Sequence, residues 1–115
     1  MSDNKILEQA KKMQETVLES EEFTNLKNAM DALKAEKDSY KVFTDFQASQ
    51  NDLRQKQMSG QEITPDDMKY ARELADKMNK LPAIKLLMER EKAMGKLIDD
   101  ANMVITEPLR KLYQA

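Results

Sequence analysis

Cysteine and histidine are both absent from this chain of 115 residues. Without cysteine there is no disulfide, no thiolate nucleophile and no thiolate metal site, a composition compatible with a reducing compartment. Without histidine the usual general base near neutral pH and the commonest metal ligand are missing, which excludes catalytic triads, zinc-binding helices and Glu-x-x-His di-iron bundles. Tryptophan is missing as well, aromatics make up 5% of the chain, and two glycines and three prolines leave little material for the tight turns of a sheet protein. There is no Asp-x-Asp-x-Asp-Gly calcium loop and no glycine-rich phosphate cradle, so no cofactor and no small-molecule substrate is expected. No window holds the ~18 apolar residues of a membrane span, and the segment after Met1 lacks a charged head followed by an apolar stretch, so a cytoplasmic location is expected. Lysine plus arginine (19) nearly balances aspartate plus glutamate (21). Basic residues alternate with acids and the aromatics fall on the apolar face, so direct binding of nucleic acid or anionic lipid is not expected.

What the chain does contain is helix. From Met1 to Ser59 there is neither glycine nor proline. Phe23, Leu26, Met30, Leu33, Tyr40, Phe43, Phe46 and Leu53 follow steps of three and four, the spacing of a buried stripe on one helical face. The class is all-α, with one unbroken long helix predicted over 21–58. At about 1.5 Å per residue it would run roughly 55 Å, against about 27 Å for the diameter of a compact chain of this size. Such a helix protrudes, and its stripe calls for a second copy.

The other elements follow from local signals. A first helix is predicted over 3–19, with Ile6, Ala10, Met13 and Val17 on one face and charges of both signs elsewhere. Ser20 followed by Glu21 and Glu22 reads as an N-cap with carboxylates in the first turn, where they complement the helix dipole. Gly60 is available for a left-handed C-cap. Thr64-Pro65-Asp66-Asp67 combines a threonine N-cap, proline at the first helical position and an aspartate placed to reach back as a short capping-box acid. The third helix (65–80) uses Met68, Ala71, Leu74, Ala75 and Met78 and stops before Pro82, which disfavours helix at Leu81. The fourth (83–105) carries Ile84, Leu87, Glu91, Met94, Ile98, Ala101 and Ile105 at coiled-coil-like spacing. A tail helix over 107–113 follows Thr106-Glu107-Pro108. Helices three and four together match helix two in length, so the chain is expected to form one domain over residues 1–115, a long helical hairpin whose return arm is broken near Pro82. Counted outward from the turn, Pro82 falls opposite Val42 and Phe43, so Tyr40, Phe43 and Phe46 are expected to fill the gap left by the break.

Five features carry candidate chemistry. Along the second helix Lys27, Lys34 and Lys41 each precede an aspartate (Asp31, Asp38, Asp45) by four residues, which reads as a solvated outer face of weak ion pairs. Gln50 and Gln57 occupy seam positions where apolar residues would be expected. They either fix register and oligomer state or mark a thinly covered, wet tip. Tyr40, Phe43, Phe46, Gln50, Leu53 and Gln57 are therefore the candidate self-association residues of a homodimer or higher homo-oligomer. Glu91, a lone carboxylate in an apolar seam, calls for a cationic partner, a lysine of the first helix before any ligand. Adjacent acids at Asp99-Asp100 are the only pair without a helix-start explanation, but they follow Ile98 onto the solvent face, which speaks against a hydrolase. Met30, Met68, Met78, Met88 and Met94 read as core, with a pliable methionine-lined groove for apolar client segments as the chaperone-like alternative.

The segment Phe46-x-x-x-Gln50-x-x-Leu53-x-x-x-Gln57-Met58-x-Gly60, the broken return arm and the ending Val104-Ile105-Thr106-Glu107-Pro108-Leu109 resemble the YheA branch of the YlbF/YmcA/YheA-like family. Ser20-Glu21-Glu22-Phe23 is similar to that family's Ser-x-Glu-Tyr entry into the long helix, with Phe23 in place of tyrosine. The resemblance covers nearly the whole chain. It implies a small cytoplasmic helical protein of Gram-positive bacteria that self-associates and, like YlbF and YmcA, serves as a non-catalytic partner in complexes affecting RNA processing, competence, sporulation and biofilm formation. It carries no catalytic residue with it.

Overall fold

The computed structural model describes residues 2–114 and is all-α. Five helices follow one another: α1 (Ser2–Leu18), α2 (Glu21–Ala35), α3 (Lys37–Ser59), α4 (Pro65–Met78) and α5 (Pro82–Leu112). No strand occurs among the described residues.

The expected helix starts are built as local chemistry dictates. Ser20 accepts the Phe23 N–H on its hydroxyl at 3.1 Å, so one of the orphan donors at the start of α2 is satisfied. Gly60 adopts a left-handed conformation (φ 77°) after α3, and the Gln61 N–H closes back onto the Lys56 carbonyl at 2.9 Å. That six-to-one bond is a Schellman closure, available at low cost only to a residue without a β-carbon. Thr64 and Asp67 form a reciprocal capping box at the start of α4, with both hydrogen bonds at 3.1 Å. Pro82 occupies the first helical position of α5, where its missing N–H costs nothing.

Two expectations are corrected. The long helix over 21–58 is not continuous: it is interrupted at Glu36, which lies outside helical geometry (φ −99°, ψ 90°), between α2 and α3. The Glu36 N–H bonds three residues back to Leu33, tightening the last turn of α2, and the Glu36 carbonyl receives the Tyr40 N–H that opens α3. Between Leu33 and Tyr40 the only apolar residue is Ala35, and residues 34–38 are exposed. No packing rewards a continuous helix there, while Asp38 in the first turn of a new helix is favoured by its dipole. The interruption also separates Lys34 from Asp38, so that ion pair loses its shared helix.

The separate tail helix over 107–113 does not exist either, because α5 runs through Pro108 to Leu112. Proline within a helix removes a donor and crowds the carbonyl four residues back. Here the Arg110 guanidinium donates to the Met103 carbonyl at 2.9 Å, and the Thr106 hydroxyl donates to the Asn102 carbonyl at 2.8 Å. These side-chain bonds lie on the carbonyls just before that of Val104, the one the ring leaves without its helical donor.

The chain divides into two compact units. One spans Ala29–Met88; the other joins the residues up to Asn28 with those from Glu89 onward. Within the first unit α3 and α4 form a helical hairpin, and they are the helix pair with the most extensive backbone approach among the described residues. Its core holds Ala29, Leu33, Phe43, Ala71, Leu74, Met78, Ile84 and Leu87, with Leu33, Ile84 and Leu87 entirely withdrawn from solvent. The second unit contains α1, the start of α2 and most of α5, and none of its described residues is buried.

Candidate interaction surface

The hairpin turn is held by one cation shared among acids. Lys56, in the last turn of α3, donates to Asp67 at 2.8 Å and lies 3.4 Å from Asp52. Asp67 already accepts the Thr64 N–H, so a single carboxylate closes the capping box and ties α4 to α3. The Lys56 ammonium, followed by the Thr64 amide, holds the Asp67 carboxyl below the usual carboxylate range. The hydrogen bond to Asp67 in turn raises Lys56 above its ordinary value. On α3 the exposed pair Lys41–Asp45 meets at 3.0 Å and raises the lysine chiefly through that hydrogen bond. This is one of the three outer-face pairs read from the sequence.

Between α3 and α4 a cleft of about 220 Å³ is lined by Asp45, Ala48, Ser49, Asp52, Leu53, Asp67 and Tyr70. Three carboxylates converge on it, but Asp45 is paired with Lys41, and Asp52 and Asp67 share Lys56. Among the described residues no group of three or more acidic side chains is arranged to hold a metal ion. The cleft is a seam between two helices whose three carboxylates are each engaged by one of two lysines.

The six residues expected to mediate self-association separate into three environments. Phe43 is buried, and Tyr40 stacks on it with ring centroids 6.5 Å apart and planes 21° from parallel. Phe46 and Leu53 are half-buried, whereas Gln50 and Gln57 are exposed. The covered row on α3 runs Phe46, Ser49, Leu53, Lys56, one residue short of the predicted row at both glutamine positions. Sequence reasoning missed Ser49, a small polar residue that admits close approach, and Lys56, whose partner lies beyond the turn. The signal for Lys56 was its place one turn before a predicted C-cap glycine, with a predicted capping-box acid just beyond the turn.

On α5 the same shift of one residue corrects the reading of Glu91. Arg90, Met94, Leu97 and Ala101 are the half-covered residues, and Glu91 is exposed, so it is not a carboxylate trapped in an apolar seam. Asp99 and Asp100 are exposed, and Asp100 pairs with Lys96 at 3.0 Å. Of the methionines expected in the core, Met78 is buried, Met30 and Met94 are half-buried, and Met68 and Met88 remain exposed. No helix among the described residues is long and apolar enough to cross a membrane.

The unit without buried residues carries the exposed apolar surface. Ile6 and Met13 of the α1 row are 70% and 49% exposed. Val104, Ile105 and Leu109 of α5 are 71%, 65% and 58% exposed, and Leu112 follows them at 76%. Isolated apolar residues on a surface are ordinary, but rows of them at seam spacing mark interaction sites.

Comparison with known proteins places these features in context. A family model described as "Control of competence regulator ComK, YlbF/YmcA" matches residues 6–110. A UPF0342 protein of Lactiplantibacillus plantarum is 38% identical over 109 residues, covering 95% of this chain and 96% of the relative. Another from Levilactobacillus brevis is 42% identical over 95 residues, 83% of each chain. Among solved structures, a protein of unknown function (DUF964) from Bacillus stearothermophilus superposes with a TM-score of 0.84 over 96% of both chains at 24% identity, which speaks to the fold.

Proposed function

Because the chain belongs to the YlbF/YmcA family, whose model it matches over residues 6–110, we propose that it is a non-enzymatic helical interaction module that self-associates and works as a partner in a regulatory protein complex. The observation that carries the proposal is the division of burial. Among the described residues every buried one lies within Ala29–Met88, while the other unit presents large apolar side chains to solvent. A surface of that kind is stabilised by a protein partner rather than by catalysis on a small molecule. The pairing of the cleft carboxylates and the exposure of Asp99 and Asp100 favour the non-enzymatic reading. The family description names control of a competence regulator, and a role in such a regulatory complex in the cytoplasm fits a module of this chemistry.

Within this reading the edge of the hairpin supplies the second contact. Phe46 and Leu53 are half-buried and flank exposed Gln50 and Gln57, giving apolar area with hydrogen-bonding groups beside it, the mixture found at interface rims. Light scattering across a dilution series, with thermal melts at each concentration, tests self-association. A species larger than the monomer, with a Tm that rises with concentration, is expected. A folded monomer at micromolar concentration with a fixed Tm defeats it. Affinity capture from the native cytoplasm, comparing the intact chain with Gln50→Ala/Gln57→Ala, tests the hairpin edge. Equal recovery of the same partners by both baits removes that edge from the proposal.

A further inference from the structure

Two helical rows in the second unit share a spacing and lack a covering surface. On α1, Ile6, Ala10, Met13 and Val17 step by four, three and four. On α5, Ile98, Ala101, Ile105, Leu109 and Leu112 step by three, four, four and three, a coiled-coil rhythm over both helices. All are exposed except Val17 and Ala101, which are half-covered. With 100° per residue on a helix, Val104 and Leu97 widen the α5 row to an arc of about 140°, enough to meet two neighbouring helices.

Charge is excluded from both rows. Leu7, Gln9, Gln14 and Thr16 flank the α1 row, while Glu8, Lys11, Lys12 and Glu15 lie behind it on the helical wheel. On α5 two ion pairs, Lys96 with Asp100 at 3.0 Å and Lys111 with Glu107 at 3.1 Å, lie outside the row, with Lys111 at its edge beside Val104. A highly charged partner has nothing to meet here. A surface that is itself apolar, uncharged and of coiled-coil pitch fits, and this chain carries two of them.

The area is sufficient. In this unit eleven large apolar residues are between 39% and 90% exposed. At about 200 Å² for a large side chain, the seven of these that lie on the two rows offer roughly 850 Å² per copy, against the ~800 Å² per partner of a standard stable interface. A second copy supplies both rows in equal number, so a two-fold arrangement covers every one of them and closes on itself.

Resting on the self-association reading, we infer that the occupant of these rows is a second copy of the chain: α1 and the C-terminal half of α5 from each protomer pack together as an intermolecular four-helix bundle. The association is therefore seated on these helices, and the α3–α4 hairpin is left free for the regulatory partner.

Sedimentation velocity on the full chain between about 1 and 200 µM tests this, using Ile105→Lys/Leu112→Lys and, as a control, Met58→Lys at the hairpin turn, where Met58 is 82% exposed. The wild type and the control are expected to dimerise alike. The double variant is expected to keep its helical circular dichroism and weaken dimerisation at least ~100-fold, the loss typical of charging an interface centre. A double variant that dimerises like the wild type overturns the seat while self-association stands. A wild type that stays monomeric at 200 µM overturns both, including when the rows capture a different protein. Because the chain has no cysteine, Ile105→Cys gives a second readout that does not depend on the double variant folding. Its thiol is expected to become protected from a maleimide as concentration rises, while that of Met58→Cys reacts at one rate throughout. Equal, concentration-independent labelling at both positions overturns the inference.

Discussion

Asp67 carries three bonds on one carboxylate-bearing residue: its N–H donates to Thr64, its Oδ2 accepts from the Thr64 N–H, and the same oxygen accepts from Lys56. Lys56 and then Thr64 depress its pKa in the folded chain. A carboxyl whose folded pKa is depressed contributes stability above its unfolded pKa and loses it as pH falls through the folded one. Lys56, raised by the same contact, contributes below its unfolded pKa and loses that contribution as pH rises through the folded value. The pair is therefore intact across neutral pH, with its acid loss beginning near the ordinary aspartate range. Urea midpoints at pH 7 and pH 3 are expected to differ less for Asp67→Asn than for the wild type, and an unchanged difference would show that the contact does not couple to folding. Leu33 makes a complementary prediction. It is entirely withdrawn from solvent, and Leu33→Ala is expected to cost about 2–5 kcal/mol through lost burial and a residual cavity, read from the shift in urea midpoint at constant m-value.

At the scale of the elements, the turn between α3 and α4 is set by one backbone conformation. A β-carbon built on Gly60 meets nothing within 4 Å, yet the residue sits at φ 77°. Gly60→Ala is therefore expected to destabilise by about 1–2 kcal/mol through left-handed strain alone, with no packing defect. A chemical denaturation midpoint unchanged from wild type would contradict this. Such turn and cap residues were legible in the sequence because their chemistry is local: Ser20, Gly60, Thr64 and Asp67 each act on atoms within a few residues. The ends of α2 and α5 were not. Continuity at Glu36 depended on whether anything packs against residues 34–38, and α5 runs on through Pro108 although proline weighs against it. Neither outcome follows from propensity. Seam phase failed for the same reason, since Ser49 and Gln50, or Arg90 and Glu91, lie 100° apart on a helix and only tertiary packing chooses between them. The residues expected to mediate self-association lie on α3, while the exposed apolar rows belong to α1 and α5 and became visible only once burial was known.

For the whole molecule, the uneven distribution of burial implies uneven protection of its backbone. Helices of the length of α1 are marginal in water unless an apolar face is packed, and its row is open in the single chain. The unit Ala29–Met88, by contrast, has a closed core. Local opening free energies follow such differences, low where apolar contacts are few and near the global value in the core. Amide hydrogen exchange at about 1 µM is therefore expected to leave α1 and residues 98–112 poorly protected while α3 and α4 exchange slowly. Raising the concentration above the association midpoint binds the folded form preferentially, and linkage raises protection by the factor 1 + [L]/Kd wherever the new contact is made. Slowing is thus expected in α1 and the C-terminal half of α5, with α3 and α4 comparatively unaffected. Slowing confined to α3 instead would place the contact between copies on the hairpin. Protection that does not change with concentration in any helix would mean that the single chain holds these two helices without help from a neighbour.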